Sequence, residues 1–264
     1  MDHPRRNLLQ RSLAAGAGAL AGAALPARAA DANGDILFAQ PGAFIPVTGT
    51  QQRFQVRRIY CVGRNYAAHA IERGSDPTRE PPFFFQKPTD AIQTVAQGVT
   101  VDHPYPPVTK NYHYEVELVA ALGSGGRAIA VERARDAVYA YAVGLDMTRR
   151  DLQNQMAAEK KPWEIGKSFD HAAVVSHLHP ASRTGHFDKG AIWLKVNGET
   201  KQSSDLSKMI WNVAEQISHL SQYYELFAGD IIYCGTPENV GPVVPGDLMQ
   251  GHIDGLYDIN VKVV

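Results

Sequence analysis

Asn111 to Leu122 reads NYHYEVELVAAL, and the placing of its two glutamates decides how the rest of the chain is read. Side chains on a strand alternate between faces, so His113, Glu115 and Glu117 share one face while Val116 and Leu118 take the other. Beyond Glu117 both faces are apolar, from Leu118 to Leu122, the pattern of a strand covered on both sides. Two carboxylates side by side at the head of such a strand are costly unless something positive compensates them. Water, a basic side chain and a metal ion are the three candidates.

Outward from this strand the pattern is β-rich. Val56–Gly63 reads as a strand, NYAAHAIERG as a short helix closed by Gly74, and PPFFFQKP as an aromatic strand bounded by prolines. TVDHPYPPVTKN reads as loop. Ala137–Asp146 is an apolar strand that ends in an acid. TRRDLQNQMAAEKK reads as a helix capped by Thr148, with Asp151 completing a capping box. AIWLKVNGETKQ is a hairpin turning at Asn197-Gly198. Val213, Ile217, Leu220 and Tyr224 give an amphipathic helix, GDIIYCGTP a strand running into a turn, and the tail short final strands. The expected fold class is α+β and β-rich, in one catalytic unit over residues 56–264, preceded by a lead-in at 30–55.

The 264 residues are 44% hydrophobic and 20% charged, which suits a globular chain with a sizeable core. The first 29 differ. Arg5-Arg6 precede an Ala/Gly/Leu run and a small-x-small site at Ala27-Arg28-Ala29, the layout of a twin-arginine-type export signal. The run is too short and too glycine-rich for a span of about 20 residues. Cleavage after Ala29 removes four arginines and one aspartate, leaving 235 residues with a net charge of about −4, against a nucleic-acid binder. Cys61 and Cys234 sit far apart in apolar runs and read as core residues rather than a disulfide framework. The expected location is periplasmic or otherwise exported, and cytoplasmic without the leader.

Asp146, at the end of its strand, can join Glu115 and Glu117 in a three-carboxylate cluster. Hard oxygen donors of this kind suit Mg²⁺, Mn²⁺ or Ca²⁺ better than Zn²⁺. By spacing alone, an exposed strand face decorated with acids is an equal reading. His69 and Glu72 stand i, i+3 and so share a helix face. By spacing alone that too is an incidental pair on a solvated helix.

The ordered set YCVGRNYAAHAIERG, FFFQKP, YHYEVEL, GLDMTRRDLQ, GKSFD, WLKVNGE and GDIIYCGTPENVG resembles the fumarylacetoacetate hydrolase family, from about Arg57 to Val263. Within it, RRIYCVGRNYAAHA, PPFFFQKP, NYHYEVEL and YAVGLDMTRRDLQ are most similar to the bacterial members that cleave fumarylpyruvate. The resemblance implies a mixed β-sandwich roll of the C-terminal-domain type, usually homodimeric. It implies Mg²⁺ or Mn²⁺ held by Glu115, Glu117 and Asp146; a further upstream aspartate ligand of the larger animal enzymes has no counterpart here. It assigns His69 and Glu72, on a lid helix, to water activation and Lys167 to enolate stabilisation. Arg150, Gln153 and Thr236 fall on substrate-holding positions, with Arg150 suited to a distal carboxylate; Arg64 and Tyr66, at the start of the lid, are structural or substrate-lining. The implied reaction is hydrolysis of the C–C bond of an acylpyruvate, fumarylpyruvate foremost. Oxaloacetate decarboxylation or tautomerisation and hydroxymuconate-type isomerisation are rivals within the family. A periplasmic dicarboxylate-binding protein without turnover is the rival of another class.

Overall fold

Strand formation follows the runs of β-branched and aromatic residues, and the sheets they build leave one end of the central pair free for polar side chains. The computed structural model describes residue 38, residues 40–72, residue 74 and residues 80–264; the export leader of residues 1–29 lies outside these. Pro41–Val264 forms one compact unit.

An eight-stranded mixed sheet runs in the order Phe83–Lys87, Arg58–Gly63, Asp230–Tyr233, Val116–Leu122, Val138–Asp146, Ala173–Ser176, Ile92–Val95, with His179–Pro180 paired off Val138–Asp146. All seven residues of Val116–Leu122 are buried, as their two-faced apolarity requires. A five-stranded sheet runs Glu199–Asp205, Ala191–Val196, Leu248–Ile253, Ile259–Val263, Thr100–His103. Its strand Leu248–Ile253 packs on Val116–Leu122 and Val138–Asp146, closing the sandwich over the core. The architecture is β-rich with few helices, as expected. The hairpin turns at Asn197 and Gly198, both with positive φ, and Val213–Tyr223 is a helix with the Asn212–Glu215 capping box.

Four expectations are corrected. Phe44–Pro46 and Arg53–Gln55 pair antiparallel within the compact unit, so the segment before residue 56 is more than a lead-in. Thr100–His103, read as loop, is a strand parallel to Ile259–Val263; its hydrogen bonds come from a partner strand far along the chain. The strand of the opening stretch is broken at Glu115. Tyr112–Tyr114 pairs instead with Thr148–Arg149 and Gly241–Val243. Thr148 does not cap the helix Arg150–Ala158, because it lies in that small sheet and its Oγ1 donates to the Asp146 carbonyl at 3.1 Å. Asp151 accepts instead from Thr109 Oγ1 and Lys110 N.

Cys61 and Cys234 are free and buried. Cys61 is paired to Tyr233 on the neighbouring parallel strand, and Cys234 directly follows that strand. Among the described residues no helix is long and apolar enough to cross a membrane.

Candidate active site

The break at Glu115 is what builds the site. Asp146 closes the strand beside it, its N–H donating to the Glu115 carbonyl at 2.9 Å, while Glu117 pairs with Gly144 in the same ladder. The three carboxylates thereby converge, with one oxygen from each within 4.8 Å of the others. They are 5%, 2% and 1% exposed for Glu115, Glu117 and Asp146, which rules out a solvated acidic face.

Buried cations answer the opening problem. Lys167 Nζ donates to Glu115 Oε2 at 2.6 Å and Asp146 Oδ2 at 2.8 Å. The Arg150 guanidinium pairs with Glu115 through Nη2 and donates to Gln153 Oε1 at 2.5 Å. Burial pushes the Glu115 carboxyl up, but Lys167 and Arg150, with help from His69, outweigh it and hold it below the ordinary range. Glu117 goes the other way. Burial, then the charges of Asp146 and Glu115, push it well above its ordinary value, although Gly235 N donates to its Oε2 at 2.7 Å. Gly235 sits at φ 99°, and a Cβ there would lie 2.5 Å from Asn65 Cβ, so the donor is set by a turn only glycine makes comfortably.

His69 and Glu72 lie on the helix Ala67–Glu72, their side chains 3.0 Å apart. Glu72 Oε2 also accepts from Asn239 N at 3.2 Å, which ties the helix to the loop after Asp230–Tyr233. A carboxylate only accepts, so Nδ1 carries the proton and Nε2 is the basic nitrogen. His69 is buried, and burial lowers its pKa against the opposing pull of Glu115 and Glu72, which favours the neutral, proton-accepting ring at neutral pH.

One cavity of about 120 Å³ brings together His69, Glu115, Glu117, Asp146 and Lys167. Arg64, Arg150, Gln153 and Thr236 line it as well. Tyr66 does not. It is packed in the core at 1% exposure and bridged to Met209, which fits the structural reading of the two and not the substrate-lining one.

Two residues of the site escaped the sequence reading. Lys87 is 3% exposed; its Nζ lies 2.7 Å from Asp146 Oδ1, an approach without hydrogen-bond alignment. It donates to the Met147 and Lys167 carbonyls, which ties Asp146 to the turn that carries Lys167. Its signal was available, since Phe83, Phe85 and Lys87 share one strand face by parity. Gln202, fully buried, accepts from Val116 N at 3.0 Å and donates to Thr236 Oγ1 at 2.9 Å. It joins both sides of the site from the far sheet, and no local pattern announced it.

The donor set fits a divalent ion. It offers hard oxygens from three buried carboxylates, and Asp146 Oδ1 makes no hydrogen bond.

The model of the fumarylacetoacetate hydrolase C-terminal family matches residues 58–264. A fumarylpyruvate hydrolase from Ralstonia sp is 46% identical over 191 residues, 72% of this chain and 97% of its own. A mitochondrial oxaloacetate tautomerase from Homo sapiens is 39% identical over 207 residues, 78% of this chain and 91% of its own. The crystal structure of fumarylpyruvate hydrolase from Pseudomonas aeruginosa, in complex with Mn²⁺ and pyruvate, superposes with a TM-score of 0.86 at 55% identity. It covers 87% of this chain and 99% of that one.

Proposed function

The chain belongs to the fumarylacetoacetate hydrolase family, and from that premise we propose that it is a divalent-metal-dependent acylpyruvate hydrolase cleaving fumarylpyruvate to fumarate and pyruvate. The observation that carries the reading is the meeting, in one cavity, of a buried carboxylate triad and a His–Glu pair whose free nitrogen is basic. A binding protein needs no such base.

The reaction adds water across the C3–C4 bond of a 2,4-dioxo acid. His69 Nε2 takes a proton from water as its oxygen attacks the C4 carbonyl, and Glu72 steadies the resulting imidazolium. The C3–C4 bond then breaks, its electron pair going to C3 as the enolate of pyruvate. The acyl half leaves as a carboxylate, and C3 gains a proton to give pyruvate. Lys167, buried against Glu115 and Asp146, presents an ammonium that offsets the enolate's negative charge. Thr236 and Gln153 offer a hydroxyl and an amide to orient the oxo acid. Mg²⁺ or Mn²⁺, held by Glu115, Glu117 and Asp146, would supply Lewis-acid stabilisation of the charge on the 2-oxo oxygen.

The oxaloacetate tautomerase relatives favour one further reading, in which the same enolate seat serves a proton shift on oxaloacetate. The leader supports export to the periplasm, and the family likeness supports a homodimer. Incubating the protein with fumarylpyruvate and with oxaloacetate, with Mg²⁺, Mn²⁺ or EDTA, tests the proposal. Fumarate and pyruvate should form in equal amounts from the first, and EDTA should stop their release. Turnover of oxaloacetate alone would move the assignment to the second reading.

A further inference from the structure

We propose that Arg64 is a second anion subsite at the mouth of the cavity, and that the chain thereby selects flat acylpyruvates ending in a distal carboxylate; the inference rests on the acylpyruvate reading.

The sequence-based expectation gave that carboxylate to Arg150. The structure spends Arg150 elsewhere. It is 3% exposed, ion-paired to Glu115, and bonded to Gln153 and, at 3.4 Å, to His113. Moving it would leave Glu115 with a lost partner. Arg64 lines the same cavity and is exposed. Among the described residues no carboxylate pairs with it.

What lies between the two cationic ends is an aromatic wall. Phe83 and Phe85 stand on one face of their strand, and Trp163 packs on both, at 6.2 Å from Phe83 and 5.3 Å from Phe85 between ring centroids. Lys167 Nζ lies 5.2 Å from the Phe85 centroid. The Arg64 guanidinium lies 5.5 Å from the Phe83 centroid. A buried cation therefore marks the inner end of the wall and an exposed one the outer end. Gly63 makes this possible, since a Cβ there would fall 2.0 Å from Phe83 Cζ. Arg64 itself holds φ 56°, a left-handed conformation uncommon outside glycine that turns the chain from strand to helix at the cavity's edge. A planar, conjugated arm stacks along such a wall, and its terminal carboxylate meets the guanidinium. An arm ending in methyl finds the wall but nothing for Arg64.

The test compares fumarylpyruvate with acetylpyruvate on wild type, Arg64→Gln and Arg64→Lys, with melting temperatures to confirm folding. A charge-assisted contact at this strength is worth roughly 10- to 100-fold. Arg64→Gln should raise KM for fumarylpyruvate by that factor and collapse its preference over acetylpyruvate, and Arg64→Lys should recover part of it. Equal losses on both substrates, or no loss on either, would overturn the subsite. Calorimetry with fumarate and crotonate, which share the flat arm but differ by one carboxylate, separates the two readings. If wild type cleaves no acylpyruvate, the reaction reading fails. A fumarate preference lost in Arg64→Gln would still uphold the subsite, and fumarate bound no better than crotonate would sink it.

Discussion

Replacing Lys167 by methionine keeps most of the side-chain volume and removes the charge that faces two buried carboxylates. Glu115 Oε2 and Asp146 Oδ2 each lose a partner at 2.6 and 2.8 Å. Lys87 still faces Asp146 and Arg150 still faces Glu115, so the pocket is left short of one positive charge. Breaking a buried pair by removing one member costs about 3–5 kcal/mol. The compact unit Pro41–Val264 falls in the size range where 1 kcal/mol moves Tm by roughly 2–4 °C. The EDTA-treated variant should therefore melt about 6–20 °C below wild type. Adding Mg²⁺ or Mn²⁺ should raise Tm more in Lys167→Met than in wild type, because in wild type the lysine competes for the same oxygens. The assay is thermal melting by circular dichroism, with metal and with EDTA. A variant that melts within about 2 °C of wild type in EDTA would refute the argument that this lysine neutralises the triad.

Further outcomes follow from the same geometry. Glu115→Gln and Asp146→Asn should each lose bound Mg²⁺ or Mn²⁺ while remaining folded; unchanged metal content by elemental analysis would place the seat elsewhere. His69→Ala should slow fumarylpyruvate hydrolysis about 10²- to 10⁴-fold, as loss of a general base does, and Glu72→Gln should slow it less, with metal affinity by calorimetry near wild type in both. His103, fully buried between Gln93 and Tyr112, has its pKa lowered to about 4, chiefly by burial. The unfolded chain takes up this proton near pH 6.5 and the folded one does not, so stability should fall as pH drops from 6.5 to 4, by roughly 3 kcal/mol from this group. His103→Gln should flatten that slope in urea melts. In the native host, replacing Arg5 and Arg6 by lysine should trap an uncleaved precursor, and a full-length N-terminus on mature wild-type protein would end the export proposal.

The parts of the site that could be read from sequence are those set by short-range periodicity. Strand parity placed Glu115 and Glu117 together, and i, i+3 spacing placed Glu72 against His69. Parity could not show that the strand breaks at Glu115, because the break is imposed by pairing to Thr148–Arg149 and Gly241–Val243, distant in the chain. The same cause hid Thr100–His103, whose partner is the last strand. Thr148 looked like a cap because a Thr before a helical run is a good local rule, and the tertiary sheet claimed it. Gln202 acts from the other sheet, where no local spacing reports on it, whereas Lys87 shared a strand face with Phe83 and Phe85 and only its partner Asp146 was out of local reach. Tyr66 shared a motif with Arg64 yet points its consequences inward, since neighbours in sequence on such a turn need not share a side.

Cys61 pairs with Tyr233, and Cys234 is the residue just past the end of that strand. The two thiols stay free and unbridged within the fold. Both are fully enclosed, and burial raises both thiols, which withholds the thiolate that an oxidant or a mixed disulfide requires. The folded chain therefore presents neither of its two thiols to a change of redox poise.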